Sequence, residues 1–419
     1  MNILKTFGHA RLFGAALLVF SSTARAEDLP LTLKDAYKNH FLVGAAVNRA
    51  MVTGGPAFRR SPEQTEKDVA LLKQQFNQIT PENDMKWALI HPREGNEGYD
   101  FGPADAFVNF GLSNKMYLVG HTLVWHSQTP NWVFAGTNQP PSTPANRLGT
   151  TAAADTSRTN RSRFGPGFGG FGRYDGPRAS REELLDRMRN HIQTVVGRYK
   201  GKVKVWDVVN EAVADGNGTN ILRNSLWLEI IGPDYIAKAF QFAHEADPGA
   251  ILRYNDYGLE NPAKRRKLIS LIKSLQQQNV PVHAIGSQAH VNASMNFETM
   301  NETLADLRTL GLPIHITELD VNTAESGQRR SDADVAANAS ATQGGIISEA
   351  DKRQSTAYAG IFRAFLKHSD AVKVVTFWGV NDAVSWRRQG RPLLFDGDNK
   401  PKAAFDAVIR ASLPESDQH

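Results

Sequence analysis

Two stretches of this sequence end an apolar run with a carboxylate. In the first, KVKVWDVVNE, the β-branched run Val203–Val209 leads to Asn210 and Glu211, and in the second, PIHITELDV, the run reaches Glu318 and Asp320. Burying a carboxylate is costly, so an acid at the end of a buried strand marks either a capped strand end or a reactive group. Two carboxyl groups that flank one cleft are the minimal equipment for cleaving a glycosidic bond, one as acid and base, the other as nucleophile or base.

Polar side chains and tryptophans also follow the other apolar runs. Amides, histidines and a lysine there could supply the directional hydrogen bonds that sugar hydroxyls require, and indole faces could stack on sugar rings. Polar ends on seven successive runs are hard to explain as strand caps alone. The candidates are Glu82, Asn83, Lys86, His121, Trp125, Gln128, Tyr254, Asn255, Gln288, His290, Trp378 and Trp386.

Eight short apolar runs alternate with amphipathic helical patterns from Phe41 onward. The runs are FLVGAAVN, FNQITPEN, MYLVGHTLVWH, VKVWDVVNE, ILRYNDY, HAIGSQAHV, PIHITELDV and VKVVTFWGV. The alternation predicts an α/β fold, a single-domain (β/α)8 TIM barrel whose strands all direct their carboxyl ends to one face. A doubly wound open sheet shows the same alternation, and counting strands does not separate the two folds.

The spacing of the polar residues makes a structural demand. Asn210 and Glu211 are adjacent in the chain, so a regular strand would point them to opposite faces. A bulge or a sharp twist is therefore needed if both side chains are to reach one substrate. Gln288 and His290 are two residues apart, so we expect them to share a face without distortion.

The sequence resembles glycoside hydrolase family 10, the retaining endo-β-1,4-xylanases. The resemblance rests on seven motifs in order, PENDMKW, GHTLVWHSQTP, WDVVNEA, YNDY, GSQAH, ITELD and WGVNDAVSW, and it extends from Phe41 to about Ser412. It implies a TIM barrel that hydrolyses internal β-1,4-xylosidic bonds by double displacement through a covalent glycosyl-enzyme. The implied partners are xylan and xylo-oligosaccharides.

The resemblance also implies a role for each matching position. Glu211 would be the acid/base and Glu318 the nucleophile, while His290 and Asp320 would orient and charge-balance Glu318. Asn210 would bond the 2-hydroxyl of the sugar being cleaved. The other implied substrate contacts are His121, Trp125 and Trp378 around that sugar, Gln288 beside the nucleophile, Glu82, Asn83, Lys86, Gln128 and Trp386 in the adjoining glycone-side subsite, and Tyr254 and Asn255 on the leaving-group side.

Other functions stay open on the residues alone. A β-1,4-glucanase or mannanase could use the same barrel, since one or two side chains near the glycone pocket can relax the choice of sugar. A catalytically inactive carbohydrate-binding barrel would typically lack one glutamate, and both are present. A metal-dependent hydrolase is disfavoured, because no His-x-His opens the first strand and the HTLVWH spacing suits neither a strand face nor a helical pair. We therefore expect no metal and no cofactor.

The first 26 residues have the layout of a secretory signal peptide. Lys5 and Arg11 precede the apolar run Leu12–Phe20, and Ala24–Ala26 form a small-x-small cleavage site. The run is shorter than the ~20 residues that span a bilayer, so we expect cleavage and export to the periplasm or the medium. Residues 27–419 would then form the catalytic domain.

Charge and cysteine content exclude several classes of site. The sequence has no cysteine, which rules out disulfides, thiolate metal sites and a cysteine nucleophile. Signal cleavage would remove three basic residues and no acid, and would lower the formal charge from +5 to +2. We therefore expect no nucleic-acid binding. No later segment is long and apolar enough to span a bilayer, so we expect no membrane attachment after cleavage. We also expect a monomer.

A segment rich in Gly, Pro, Ser, Thr and Arg interrupts the alternation at residues 134–179. It lacks helical or strand periodicity, so we expect a long flexible loop after the third strand, on the catalytic face. Its Gly165, Gly167 and Gly170 formally match a dinucleotide fingerprint, but no strand precedes them. The segment holds six arginines against two acids, with Phe and Tyr among its glycines. It either attracts xylan with acidic glucuronosyl branches or is a solvated loop without a role.

Overall fold

A computed structural model describes residues 32–55, 60–136, 174–324 and 348–414 of the protein. Strands alternate with helices along most of this length. The strands are β1 (Leu42–Val47), β2 (Gln78–Pro81), β3 (Tyr117–Trp125), β4 (Val205–Asn210), β5 (Ile251–Asp256), β6 (Ala284–Ser287), β7 (His290–Asn292), β8 (Ile314–Asn322) and β9 (Val372–Phe377). The α-helices are α1 (Leu33–Ala36), α2 (Arg49–Thr53), α3 (Pro62–Gln75), α4 (Trp87–Ile90), α5 (Gly102–Ser113), α6 (Arg181–Arg198), α7 (Leu226–Ile231), α8 (Tyr235–Ala246), α9 (Pro262–Gln277), α10 (Phe297–Arg308), α11 (Glu349–Lys367) and α12 (Ala403–Ala411).

Eight of the strand pairings, all except that between β7 and β8, close a parallel barrel. The hydrogen-bonded order runs from β6 through β5, β4, β3, β2 and β1 to β9 and β8, and β8 pairs back with β6. Closure confirms the predicted (β/α)8 barrel and excludes the open sheet. β7 is a short additional strand that pairs with the carboxyl end of β8, where His290 lies opposite Asp320.

The helices form where the sequence supplies start signals and one apolar face. Ser61 and Ser180 cap α3 and α6, each in a reciprocal capping box with the residue three positions later. On the inner face of α6 the fully buried residues Leu184, Met188 and Ile192 recur every four positions. Each such side chain contributes roughly 1.5–3 kcal/mol by leaving water. The helices are therefore fixed against the strands that carry the polar residues.

A polar layer crosses the barrel core beneath the catalytic face. Arg253 binds Asp207 through two hydrogen bonds, Nε to Oδ1 at 2.6 Å and Nη2 to Oδ2 at 2.9 Å. His121 Nδ1 lies 3.0 Å from the same carboxylate, and Arg253 Nη1 donates to His315 Nδ1 at 3.1 Å. Burial raises the pKa of Asp207, but Arg253 and His121 outweigh it and hold that pKa at about 2. These contacts join side chains of four strands, β3, β4, β5 and β8, inside the barrel.

The insertion begins and ends at a narrow neck. Gly136 N donates to Pro177 O at 3.0 Å, Ala179 N donates to Phe134 O at 2.9 Å, and Ala135 bridges Arg178 in antiparallel fashion. The two ends of the insertion thus lie side by side next to the barrel. The predicted flexibility of the segment concerns residues 137–173, which lie outside the described residues, as does the predicted signal peptide at residues 1–26.

Helix length and hydropathy bear on membrane insertion in the part of the chain that the structure describes. No helix there combines the length and the hydropathy needed to cross a membrane.

Candidate active site

The two glutamates are joined by a chain of three amides at the carboxyl end of the barrel. Asn255 Nδ2 donates to Glu318 Oε1 and to Asn210 Oδ1, both at 2.9 Å. Gln288 Nε2 donates to Asn210 Oδ1 at 3.3 Å and to Glu211 Oε1 at 3.1 Å. Each amide nitrogen has two protons, so every contact in the chain is satisfied. The sequence-predicted pair therefore meets in one cleft with fixed side-chain positions.

Glu211 reaches the cleft because the backbone at the end of β4 is distorted. Its φ is +58°, in the left-handed region, and the β4–β5 register shifts between Asp207 and Val209. This confirms the predicted bulge or twist, which places Asn210 and Glu211 on the same side. Trp125 Nε1 donates to Glu211 Oε2 at 3.0 Å, so both carboxylate oxygens have a partner.

The strand carrying Gln288 and His290 is broken, contrary to expectation. β6 ends at Ser287, β7 begins at His290, and Ala289 between them has φ +57°. A regular strand would align Gln288 with His290, but here each residue approaches a different glutamate. The break thus lets two neighbouring side chains serve opposite sides of the cleft.

Glu318 faces a histidine held by a second carboxylate. His290 Nε2 lies 3.2 Å from Glu318 Oε2, and His290 Nδ1 lies 2.8 Å from Asp320 Oδ2. Asp320 also accepts from Trp386 Nε1 and Arg387 Nη1, both at 3.0 Å. The structure therefore brings Glu318, His290 and Asp320 together as the sequence predicted, with Arg387 as an addition.

The environments of the two glutamates move their pKa values apart. Burial raises the pKa of Glu211, and the nearby Glu318 and Asp256 carboxylates raise it further. Burial also pushes the pKa of Glu318 upward, but the hydrogen bond from His290 and the influence of His121 outweigh it, so that pKa is lowered. Asp320 and Glu318 overcome the desolvation of His290 and raise its pKa to about 9. Glu211 is suited to hold a proton and Glu318 to stay ionised.

Most of the chain matches the model of one known protein family. The model of Glycosyl hydrolase family 10 matches residues 32–157 and 171–411. This chain belongs to glycoside hydrolase family 10. The gap between the two matched stretches falls inside the insertion.

Individual members of family 10 resemble the chain over nearly its whole length. The β-1,4-xylanase of Dictyoglomus thermophilum is 36% identical over 407 residues, covering 94% of this chain and 96% of that protein. An endo-1,4-β-xylanase of Geobacillus stearothermophilus is 38% identical over 388 residues, covering 90% of this chain and 98% of its own. The structure of an intracellular xylanase of Thermoanaerobacterium saccharolyticum in complex with xylotetraose superposes with a TM-score of 0.70 at 33% identity, covering 91% and 98%.

The predicted glycone-side residues of this family 10 chain line one wall of the cleft. Lys86 Nζ donates to Asn83 Oδ1 at 3.0 Å and lies 5.1 Å from the centre of the Trp125 ring. Burial lowers the pKa of Lys86, although Glu318, Glu82 and Glu211 oppose the shift. A buried cation beside the two glutamates is suited to binding sugar hydroxyls.

The remaining glycone-side candidates frame the same space. The indole of Trp386 is 54% exposed and its ring centre lies 5.1 Å from that of His290, so its open face is free to stack on a sugar. Trp378 is buried edge-on against His121, with ring centres 5.3 Å apart. Gln128 follows β3 with φ +47°, and its carbonyl accepts from Ala88 N at 2.8 Å.

The leaving-group contacts predicted for Tyr254 and Asn255 are wrong in this structure. Both side chains have no exposed surface, because neighbouring strands and the chain after β4 cover them. The Tyr254 hydroxyl accepts from Ala212 N and Val213 N at 3.0 Å, and Asn255 is used by the amide chain. Both residues therefore support the glutamates from behind.

The tyrosine that keeps some exposed surface at this strand end is Tyr257, which the sequence analysis missed. Tyr257 is partly buried, with Lys264 Nζ 3.3 Å from its ring centre and Arg223 bonded to its hydroxyl at 2.6 Å. Its signal in the sequence is its place directly after the strand-end motif YND. Only the fold shows that the chain turns there and brings this ring, and not that of Tyr254, to the surface.

The described ranges of the chain contain many His, Asp and Glu side chains, which are potential metal ligands. In those ranges no three or more His, Cys, Asp and Glu side chains are arranged to hold a metal ion. The titratable residues of the cleft are instead paired with each other and with amides, as set out above.

Proposed function

We propose that this protein is a retaining endo-1,4-β-xylanase with Glu211 as acid/base and Glu318 as nucleophile. The observation that carries the proposal is the meeting of Glu211 and Glu318 in one cleft, linked by the amides of Asn255, Asn210 and Gln288. The surroundings displace the two pKa values in opposite directions, which supports the division of roles. Family 10 membership and the xylanases among its relatives support the reaction class and the substrate.

The reaction then follows in two displacements. Glu318 attacks the anomeric carbon and forms an ester, while the bond to the leaving-group oxygen breaks and that oxygen takes the proton of Glu211. In the second step Glu211, now ionised, removes a proton from water, which attacks the same carbon and releases Glu318. Loss of the Glu318 charge after the first step lowers the pKa of Glu211 and suits its change from acid to base.

The surrounding residues hold Glu211 and Glu318 in position. His290, locked by Asp320, favours the ionised form of Glu318. Asn210 is fixed between Asn255 and Gln288, and its amide nitrogen is directed toward the cleft, 3.5 Å from Glu211 Oε1. We assign it to the 2-hydroxyl of the sugar being cleaved, where a hydrogen bond strengthens in the transition state.

Substitution of each glutamate tests the assigned roles. Glu318→Ala should abolish hydrolysis of every substrate, since no covalent intermediate can form. Glu211→Ala should retain cleavage of aryl glycosides with good leaving groups, and added azide should accelerate its turnover and give a β-glycosyl azide. Glu302→Ala, which removes an exposed glutamate of α10, is the matched control and should behave as the wild type. A β-glycosyl azide from Glu318→Ala, or an α-glycosyl azide from Glu211→Ala, would reverse the assignment. An inverted hydrolysis product of the wild type would refute the retaining mechanism.

Substrate choice is tested by reducing-sugar release from xylan, carboxymethylcellulose and mannan in parallel. We expect xylan to be hydrolysed far faster than the other two polymers. Faster release from carboxymethylcellulose or mannan would identify a glucanase or a mannanase on the same barrel.

We also propose that the protein is exported and acts as a monomer. The signal-like layout of residues 1–26 supports export, whereas the Thermoanaerobacterium saccharolyticum xylanase is described as intracellular. Cell fractionation with N-terminal sequencing should find a mature chain that begins at Glu27 outside the cytoplasm. Full-length protein retained in the cytoplasm would contradict export, and a dimer in sedimentation would contradict the monomer.

A further inference from the structure

Glu211 is held in its left-handed conformation by bonds to its backbone as well as to its side chain. Its amide donates to Asn255 O at 2.9 Å, and the next two amides, of Ala212 and Val213, donate to the Tyr254 hydroxyl. Its carbonyl accepts from Arg223 Nε at 3.0 Å. Residues other than glycine adopt this conformation at an energetic cost, so the surrounding bonds must hold it.

Arg223 differs from the other groups around this turn because it does not belong to the barrel strands. The chain leaves Glu211, folds back through a bridge between Val213 and Leu222, and returns so that Arg223 N donates to Ala212 O at 2.8 Å. The guanidinium thus closes a loop onto the carbonyl of the acid/base. Nothing in the packing of β4 alone would fix that carbonyl.

The Arg223 guanidinium is itself locked. Its Nη2 donates to Asp215 Oδ2 at 3.0 Å and to the Tyr257 hydroxyl at 2.6 Å. Tyr257 donates in turn to Asp215, and Lys264 Nζ binds the other oxygen of that carboxylate at 2.8 Å. An arginine fixed at three points can position a partner more precisely than a free side chain can.

We propose that Arg223 is a positioning residue for the acid/base and that its loss selectively impairs proton transfer at the leaving group. The proposal rests on the role assigned to Glu211. Within the described residues, the contacts of Arg223 reach Glu211, Asp215 and Tyr257 and do not include Glu318 or His290. Nucleophilic attack by Glu318 therefore stays intact when Arg223 is lost. The Glu211 carboxyl, in contrast, is no longer held in the position from which it protonates the leaving group.

The dependence of the rate on the leaving group separates this role from a general structural one. Departure of a strongly acidic phenol needs no proton, whereas departure of an unactivated phenol does. We expect Arg223→Met to lower kcat/KM for phenyl β-xylobioside about 10- to 100-fold, the range for a misaimed acid catalyst. For the dinitrophenyl substrate kcat/KM should stay within about twofold of the wild type. A plot of log kcat/KM against leaving-group pKa should therefore steepen.

Two further variants make the test specific. Arg223→Lys keeps a cation with one reachable donor and should recover part of the loss on the phenyl substrate. Arg187→Met is the matched control, because Arg187 also binds backbone carbonyls, those of Val133 and Ala135, with no contact to either glutamate. It should leave the leaving-group dependence unchanged.

Specific outcomes would overturn the inference. An equal loss by Arg223→Met on all aryl xylobiosides, or no loss on any, would show that Arg223 does not aim the acid/base. If Arg223→Met does not fold, as judged by its thermal unfolding, the same comparison is made with Arg223→Lys, and an unchanged slope in that variant counts against the inference. Failure of the wild type to cleave xylobiosides would instead refute the proposed function.

Discussion

The charge of His290 is expected to set the acid limb of the pH profile. His290→Asn removes a cation whose Nε2 lies 3.2 Å from Glu318 Oε2 and whose pKa is raised to about 9, so it is charged at neutral pH. The cation favours ionised Glu318, and its removal therefore raises the pKa of Glu318. Since Glu318 must be ionised to attack, kcat/KM will begin to fall at a higher pH than in the wild type.

The size of the shift follows from the contact that is lost. A hydrogen bond to a charged group contributes about 1.5–3 kcal/mol, and one pKa unit corresponds to about 1.4 kcal/mol. The acid limb should therefore move up by about 1–2 pH units. A bare Coulomb energy at this distance and an effective dielectric constant of about 20 is roughly 5 kcal/mol, which is an upper bound.

The neighbouring charges add to the effect and offer a second variant. In His290→Asn the Asp320 carboxylate keeps its bonds from Trp386 and Arg387, and its position next to Glu318 acts in the same direction as the loss of the histidine cation. The double variant His290→Asn/Asp320→Asn removes both charges and should shift the acid limb less than His290→Asn alone.

The assay is kcat/KM for phenyl β-xylobioside, whose leaving group needs the Glu211 proton, across the pH range in which carboxyl groups and histidines titrate. The basic limb reports Glu211, whose raised pKa requires activity to fall as the pH rises through it, and should stay in place. His283→Asn, which alters a histidine at the amino end of β6, is the matched control. An unmoved acid limb in His290→Asn, or an equal shift in His283→Asn, would refute the reasoning.

Three other perturbations have distinct expected outcomes. Dialysis against EDTA should leave kcat unchanged, because the proposed mechanism uses two carboxyl groups and hydrogen bonds. A loss of activity that a divalent ion restores, without a change in melting temperature, would contradict this mechanism. Arg253→Met should lower the free energy of unfolding in urea by about 3–5 kcal/mol, because the buried Asp207 loses its arginine partner and keeps only the contact with His121. Arg253→Met/Asp207→Leu should recover much of the loss. Deletion of residues 137–176 joins Gly136 to Pro177, whose backbones are already hydrogen-bonded at 3.0 Å, and should preserve the barrel. If the insertion attracts acidic branches, the deletion will lower the kcat/KM ratio of glucuronoxylan to neutral arabinoxylan and weaken its salt dependence; an unchanged ratio identifies a passive loop.

The sequence was sufficient to predict alternating strands and helices, the pair of glutamates and one local distortion, whereas the pairing of β8 with β6 decided between the barrel and the open sheet. Strands buried on both faces read as apolar runs, so their polar ends stand out without a structure, and parallel strands must bring those ends to one face. The adjacency of Asn210 and Glu211 required an irregular backbone, because side chains alternate along a strand, and the left-handed φ of Glu211 is that irregularity. These conclusions depend on local periodicity, which a sequence contains in full.

The tertiary structure alone decided which strand-end residues face the cleft and how they are charged. Tyr254 and Tyr257 are similar in type and close in the chain, but packing after β4 covers the first and exposes the second. The break between Gln288 and His290 has no signature in residue spacing, and only the structure shows the positive φ at Ala289. The lowered pKa of Glu318 depends on His290, which lies 28 positions away in the chain. Exposure and charge are set by neighbours distant in sequence, and only the closed barrel brings those neighbours together.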